Sequence, residues 1–410
     1  MNRKLSKILA NIGLILASFL AVLVLLEITL HFTSYHNLLL RDKQVRYYYR
    51  ADAARGYDIR PNAGKIRTSV DSNSVNYEIW SNELGCFDEP YRGEKNFILL
   101  VGDSFTHSYA PFEDKWGTRI EKLLSYRVLK CGVNGYGTKQ ELLKAQDIIA
   151  RIQQNPRLII VGYFWNDLLD DFAFPSLTVV DGFLVQSTPY KDPKTGRLHG
   201  LESFEGPYSY WDLLTGRHPL GLRKMLNYYL DQHLILPNLA NIAAAGIFPP
   251  KNSYTNPLDF PVFSQPSWIT QAWAIHEDNL KAFRELAAAR GAELLIVIIP
   301  TNTQVYSFLT EGRKIDLERP NRILGDFLRK EGIQFIDLLP FFRKYADQTP
   351  RRYLDSNQDL YWRANSHFSL KGERLASLLV SRYILENNLL QVPDRDKKLG
   401  EFKDKLGNFH

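Results

Sequence analysis

A parallel α/β sheet with helices on both faces is the fold class this sequence predicts, and two observations predict it. Short runs that are apolar at every position recur along the chain, and helical patterns lie between them. A strand with no polar face needs cover on both sides, which is the property of parallel sheets wrapped by helices. No internal repeat or low-complexity block points to another architecture.

The first buried strand is expected at Phe97-Ile98-Leu99-Leu100-Val101, ending at Gly102. A shorter one, Arg127-Val128-Leu129-Lys130-Cys131, breaks at Gly132. The third, Leu158-Ile159-Ile160-Val161, follows Pro156, and the fourth, Leu294-Leu295-Ile296-Val297-Ile298-Ile299, stops at Pro300. Gln334-Phe335-Ile336-Asp337 reads as an edge strand. The clearest helix is expected to start at Ser267 as N-cap, to carry Ile269, Trp273, Leu280, Phe283 and Leu286, and to stop at Gly291. In sheets of this kind, sites form where strands reach their C-terminal ends, so chemistry is sought there.

The chain has 410 residues, 45% hydrophobic and 23% charged, which excludes collagen-like, coiled-coil and disordered classes. From Ile8 to Leu26 nineteen residues carry no charge. A helix of that length spans roughly 28 Å, close to the hydrocarbon thickness of a bilayer. Arg3, Lys4 and Lys7 precede the run, so the N-terminus is expected in the cytoplasm and the rest outside it, although Arg41, Lys43 and Arg46 reduce the asymmetry. A cleaved signal is the rival, but His31-Phe32-Thr33-Ser34-Tyr35-His36 offers no small-x-small site.

The chain then divides into a cytoplasmic stub and transmembrane anchor over 1–32, a juxtamembrane region over 33–94, one α/β domain over 95–390 and a charged tail over 391–410. Tyr47-Tyr48-Tyr49 and Trp80 are expected to pack the juxtamembrane region on the domain, and the tail is expected to be solvated. Residues 172–265 break the pattern with Pro, Gly, Tyr and Trp; this 94-residue insertion reads as a lid or as decoration. A net charge of +6, spread among acidic residues, implies no nucleic acid. Cys86 and Cys131 lack metal-ligand spacing and leave one disulfide open in an oxidising compartment.

Four motifs follow strand ends. Gly102-Asp103-Ser104-Phe105-Thr106 puts Ser104 at a strand-to-helix turn, with its amide at a helix N-terminus; an N-capping serine is the plainer reading. Cys131-Gly132-Val133-Asn134-Gly135-Tyr136-Gly137-Thr138 is a glycine loop able to present backbone N–H groups, or only a turn. Trp165-Asn166-Asp167 can aim the Asn166 amide at the same point, while Asp167 is expected to cap the next helix. Asn365-Ser366-His367-Phe368-Ser369-Leu370-Lys371-Gly372 supplies a late histidine before a helical segment; His107 and His276 are expected to be structural.

In that order the four motifs resemble the SGNH hydrolases, the GDSL-type esterases, over 95–171 and 268–387. The resemblance implies a flavodoxin-like three-layer α/β/α sandwich with a mostly parallel sheet, and neither a metal nor an organic cofactor. It makes Ser104 the nucleophile and His367 the general base, with Ser104 N–H, Gly135 N–H and the Asn166 side chain as the oxyanion hole. One departure matters: the family usually has an Asp two or three residues before the histidine, where this chain has Asn365 and Ala364. In a serine protease, the change from Asp to Asn costs about 10⁴ in kcat. Three readings stay open: a Ser-His pair oriented by Asn365 or a backbone carbonyl, support from Asp355 or Asp359, or a decayed site left as a surface binding or assembly scaffold. The expected activity is that of a membrane-anchored, extracytoplasmic serine esterase or O-acyltransferase acting on an acylated small molecule or glycan.

Overall fold

The structure, a computed structural model, describes residues 3–33, 35, 45–70, 75–174, 177–180, 182–186, 210–215, 217, 226, 230, 233–247, 267–310, 316–351, 354–363 and 365–409. In chain order it begins with α1 (Arg3–His31), β1 (Tyr49–Asp52), β2 (Gly56–Ile59), β3 (Ile66–Val70) and β4 (Val75–Ile79). Then come β5 (Ile98–Gly102), α2 (Ser104–His107), α3 (Trp116–Leu124), β6 (Val128–Lys130), α4 (Thr138–Ile152), β7 (Leu158–Phe164) and α5 (Asp167–Phe172). The insertion contributes β8 (Leu177–Val180), β9 (Phe183–Gln186), α6 (Tyr210–Leu214) and α7 (Ile235–Ile247). The chain closes with α8 (Ser267–Arg290), β10 (Glu293–Ile299), α9 (Asn302–Val305), α10 (Arg319–Lys330), β11 (Gln334–Asp337), α11 (Leu339–Tyr345), α12 (Leu370–Glu386) and α13 (Arg395–Gly407).

These elements form two compact units, residues 1–43 with 208–252, and residues 44–207 with 253–410. In the first, Lys7–His31 of α1 is long and apolar enough to cross a membrane, and none of its residues is buried. The insertion is thus shared between the units. Its stretches 187–209 and 248–266, on which the lid reading largely falls, lie outside the described residues.

The second unit is built on five parallel strands in the order β11-β10-β7-β5-β6. Numbered within the sheet, that is the 2-1-3-4-5 order of flavodoxin-like folds, whose switch point lies between the first and third strands. Side-chain alternation explains the three layers. Ile98, Leu100, Ile160, Leu295 and Val297 face a core with Trp116 and Ile120 of α3 and Leu375 and Leu379 of α12. Leu99, Val101, Ile159, Val161, Ile296 and Ile298 face the other way, onto α4, α8 and α10 through Ile148, Phe283 and Leu324.

The chain between α1 and β5 forms the hairpins β1-β2 and β3-β4. Tyr48, Tyr49, Tyr57 and Ile79 share a buried cluster with Val133 and Tyr136 of the glycine loop, and the Trp80 ring lies 5.0 Å from those of Phe87 and Phe112. Buried ions tie the same surfaces: Lys144 Nζ of α4 meets both Asp58 carboxylate oxygens at 2.7 and 2.8 Å, and Lys130 Nζ meets Asp88 at 2.9 Å. Cys86 and Cys131, Cα atoms 4.4 Å apart, form a disulfide, so the region is covalently joined to the residue that opens the glycine loop.

The charged tail is not a solvated segment. It forms α13, and Phe402, Leu406 and Phe409 are buried in the core beside α12. Phe402 and Leu406 stand four residues apart, so they line one helix face while the charges occupy the others. The short apolar stripe hides in an average dominated by Lys and Asp.

Candidate active site

The motifs meet at the C-terminal edge of the sheet, on either side of its switch point. Gly102 ends β5 and pairs with Gly162 of β7. A Cβ at either glycine would come within 2.1 Å of Thr106 Oγ1, so two missing side chains let α2 turn tightly over the strand ends. Ser104 opens that turn, with Asp103 as N-cap accepting from the Phe105 amide at 2.8 Å.

His367 comes from the loop before α12. Trp362 N–H donates to the His367 carbonyl at 2.8 Å, and Tyr361 bridges Phe368, so the segment is folded back on itself. The imidazole lies between the rings of Tyr109 and Phe105, at 4.3 and 4.7 Å. Its Nε2 is 2.8 Å from Ser104 Oγ and its Nδ1 is 3.0 Å from the main-chain carbonyl of Asn365. With Nδ1–H donating to that carbonyl, Nε2 is free to accept the Ser104 hydroxyl proton. Burial lowers the His367 pKa to about 4, partly opposed by the Asn365 carbonyl. The ring is therefore neutral near pH 7, as a base must be.

The Asn365 side chain does not reach the ring; its Oδ1 accepts from the His367 amide at 3.1 Å and holds the turn. Asp359 is tied to Arg351 and to the Asp355 amide, and Asp355 accepts from the Asn357 amide. The reading in which Asp355 or Asp359 supports His367 is therefore replaced by a backbone carbonyl.

Gly135 lies in the glycine loop at φ +73°, a left-handed conformation that suits glycine. A Cβ there would meet Tyr57 Oη at 3.0 Å, and that hydroxyl donates to the Asn134 carbonyl at 2.6 Å. The β1-β2 hairpin thus fixes the loop. After β7, Asn166 precedes α5 and gives one amide hydrogen to Asp170 Oδ2 at 2.9 Å. Asp167 does not cap α5; its Oδ2 accepts from the Phe164 amide at 3.2 Å, because Asn166 already occupies the capping position.

Asp103 is the group that sequence reading missed within a motif it had identified. Its Oδ2 lies 3.2 Å from Ser104 Oγ, and burial pushes it up to about 7 against hydrogen bonds from the Phe105 amide, Ser104 and the Asn166 side chain. Burial likewise raises Asp170, with Asp103 nearby, and raises Glu141 and Asp167 beneath the site. The Asn166 to Asp170 contact had a usable signal, since four residues on a helix put two side chains on one face. His107 and His276 are packed away from Ser104: His107 Nε2 meets Tyr48 Oη at 2.9 Å, and His276 Nδ1 meets Asp171 at 2.8 Å. Among the described residues, no group of three or more His, Cys, Asp or Glu is arranged to hold a metal ion.

No family model and no curated protein matches the chain. Among solved structures it is similar to TesA, at 14% identity and a TM-score of 0.33, over 72% of this chain and 99% of that one. It is similar to an acetyl xylan esterase, AlAXEase, at 10% identity and 0.34, over 68% and 96%. A GDSL-like lipase from Bacteroides thetaiotaomicron gives 11% and 0.30, over 73% and 92%.

Proposed function

We propose that the protein is a membrane-anchored, extracytoplasmic serine esterase or O-acyltransferase of the SGNH type. The observation that carries this reading is the 2.8 Å contact between Ser104 Oγ and a neutral, carbonyl-oriented His367 at the switch point of the sheet. His367 Nε2 takes the Ser104 proton as Oγ attacks an ester carbonyl, and a tetrahedral intermediate forms. The Ser104 and Gly135 amides stabilise its oxyanion, joined by the Asn166 side chain, which stays held by Asp170 and turns its other amide hydrogen from Asp103 to the oxyanion. His367 then protonates the leaving alkoxide, an acyl-serine remains, and water or another hydroxyl takes the acyl group. The reading with a glycan as acceptor or substrate rests on the aromatic side chains of the insertion. The outward placement rests on Arg3, Lys4 and Lys7 before α1 and on the disulfide, which persists in oxidising compartments.

The test is hydrolysis of p-nitrophenyl acetate by the full chain. Loss of the rate in Ser104→Ala supports the mechanism, and an unchanged rate overturns it. A wild-type chain that folds but shows no turnover favours the scaffold reading.

A further inference from the structure

Glu27 is the one acidic side chain in α1, one residue beyond the uncharged run Ile8 to Leu26. Its carboxylate does not point to solvent. Oε1 accepts the Ile235 amide at 2.6 Å and Oε2 accepts the Leu236 amide at 2.9 Å, and Oε1 also lies 3.1 Å from His31 Nε2. These amides are the first two of α7, and Ile235 is fully buried.

A helix start leaves four N–H groups without an intrahelical acceptor, and in water they are simply hydrated. At α7 each one is accounted for without water. Leu234 N–H donates to the Leu230 carbonyl at 2.8 Å, the next two go to Glu27, and the fourth position is Pro237, which has no N–H. Asn238, the first polar side chain of the helix, turns its amide back onto the Leu234 carbonyl at 2.6 Å. Complete internal satisfaction of a helix end is demanded wherever water is excluded, in a protein interior or in hydrocarbon, and an aqueous surface does not demand it.

The composition agrees. From Leu234 to Pro250 no residue is charged, and only Asn238 and Asn241 are polar. Ala240 and Ala243 are exposed. Thirteen helical residues cover only about 20 Å, too short to span a bilayer, and apolar helices of this length are commonly re-entrant or interfacial.

We infer that α7 is a second membrane-embedded element, docked on the anchor through the Glu27 carboxylate at the outer edge of the hydrocarbon, with lipid acyl chains as the partner of its exposed apolar side. This rests on α1 being a membrane anchor. It gives this part of the insertion a role in holding the protein at the lipid surface, independent of Ser104 chemistry.

The experiment uses the full chain in phosphatidylcholine vesicles, spin-labelled in turn at Ala243→Cys, Phe19→Cys and Lys397→Cys. Cys86 and Cys131 are bonded to each other and do not take label. Collisions with oxygen report lipid, and collisions with a water-soluble nickel chelate report solvent. The expected result is an oxygen-dominated label at Ala243, matching Phe19 and unlike Lys397. Adding Glu27→Ala should cost Ala243 that character while Phe19 keeps it, and Glu27→Gln, which retains one acceptor oxygen, should lose less. A nickel-dominated Ala243 beside an oxygen-dominated Phe19 overturns the inference and leaves the anchor standing. Nickel-dominated signals at both positions overturn the anchor and the inference together.

Discussion

The Nδ1 hydrogen of His367 goes to the main-chain carbonyl of Asn365 at 3.0 Å, so the third position of this site is a peptide oxygen rather than a carboxylate. A carbonyl can fix the tautomer and the ring plane, but it brings no full charge to steady an imidazolium. The Asn365 side chain serves the turn, not the ring. Asn365→Asp keeps that acceptor oxygen and should change kcat by less than about tenfold, within the worth of an ordinary hydrogen bond. Asn365→Ala removes it and should lower kcat by about three- to tenfold. Steady-state kinetics on p-nitrophenyl acetate compares the two; a gain of several orders of magnitude in Asn365→Asp would mean that the ring was waiting for a carboxylate.

The acid limb of kcat/KM should lie unusually low. The pKa of His367 is lowered to about 4, so the neutral base persists above that value and is lost as pH falls through it. Activity controlled by this group is therefore flat between about 5 and 7 and declines toward 4. A pH profile of kcat/KM reads this directly, and a decline already complete at pH 6 would contradict the burial assigned to the ring.

Gly135 tests the loop beneath the proposed oxyanion. At φ +73° an alanine is strained by about 1–2 kcal/mol, and its Cβ would press on Tyr57 Oη at 3.0 Å. Gly135→Ala should lower kcat by about ten- to a hundredfold, less than the about 10²–10³ of a donor removed outright because the amide is displaced rather than lost, with KM changed much less. A rise in KM alone would show that the loop binds substrate without serving the transition state.

Asp58 tests the clamp between the β1-β2 hairpin and α4. Asp58→Ala strands the buried Lys144 ammonium, whose pKa burial already lowers, and should cost about 3–5 kcal/mol. Chemical denaturation of the full chain in detergent measures the loss; a change below about 1 kcal/mol would mean that solvent reaches the pair.

Much of the fold was legible because its signals are local. Strands apolar at every position, such as Ile98 to Val101 and Leu294 to Ile299, have no other economical placement than a two-sided sheet, and the strand ends pointed to Ser104 and Asn166. The rest depended on distances no pattern encodes. A main-chain carbonyl has no residue letter, so the sequence leaves the Asn365 side chain and a backbone carbonyl as alternatives that only the distances separate. Asp103 acts through burial, which only tertiary packing sets. Phe402 and Leu406 were hidden by surrounding charges, and the insertion looked like one piece because composition cannot reveal that α7 joins α1.

The proposed chemistry stands on Ser104 as a nucleophile activated by His367. A fluorophosphonate probe added to the full chain, followed by peptide mass spectrometry, tests it most directly, because the adduct forms on an activated serine without any need to know the substrate. One stoichiometric adduct is expected on the peptide containing Ser104, lost in Ser104→Ala and strongly slowed in His367→Ala. An adduct on another serine, or labelling of Ser104 at the same rate in His367→Ala, would contradict it.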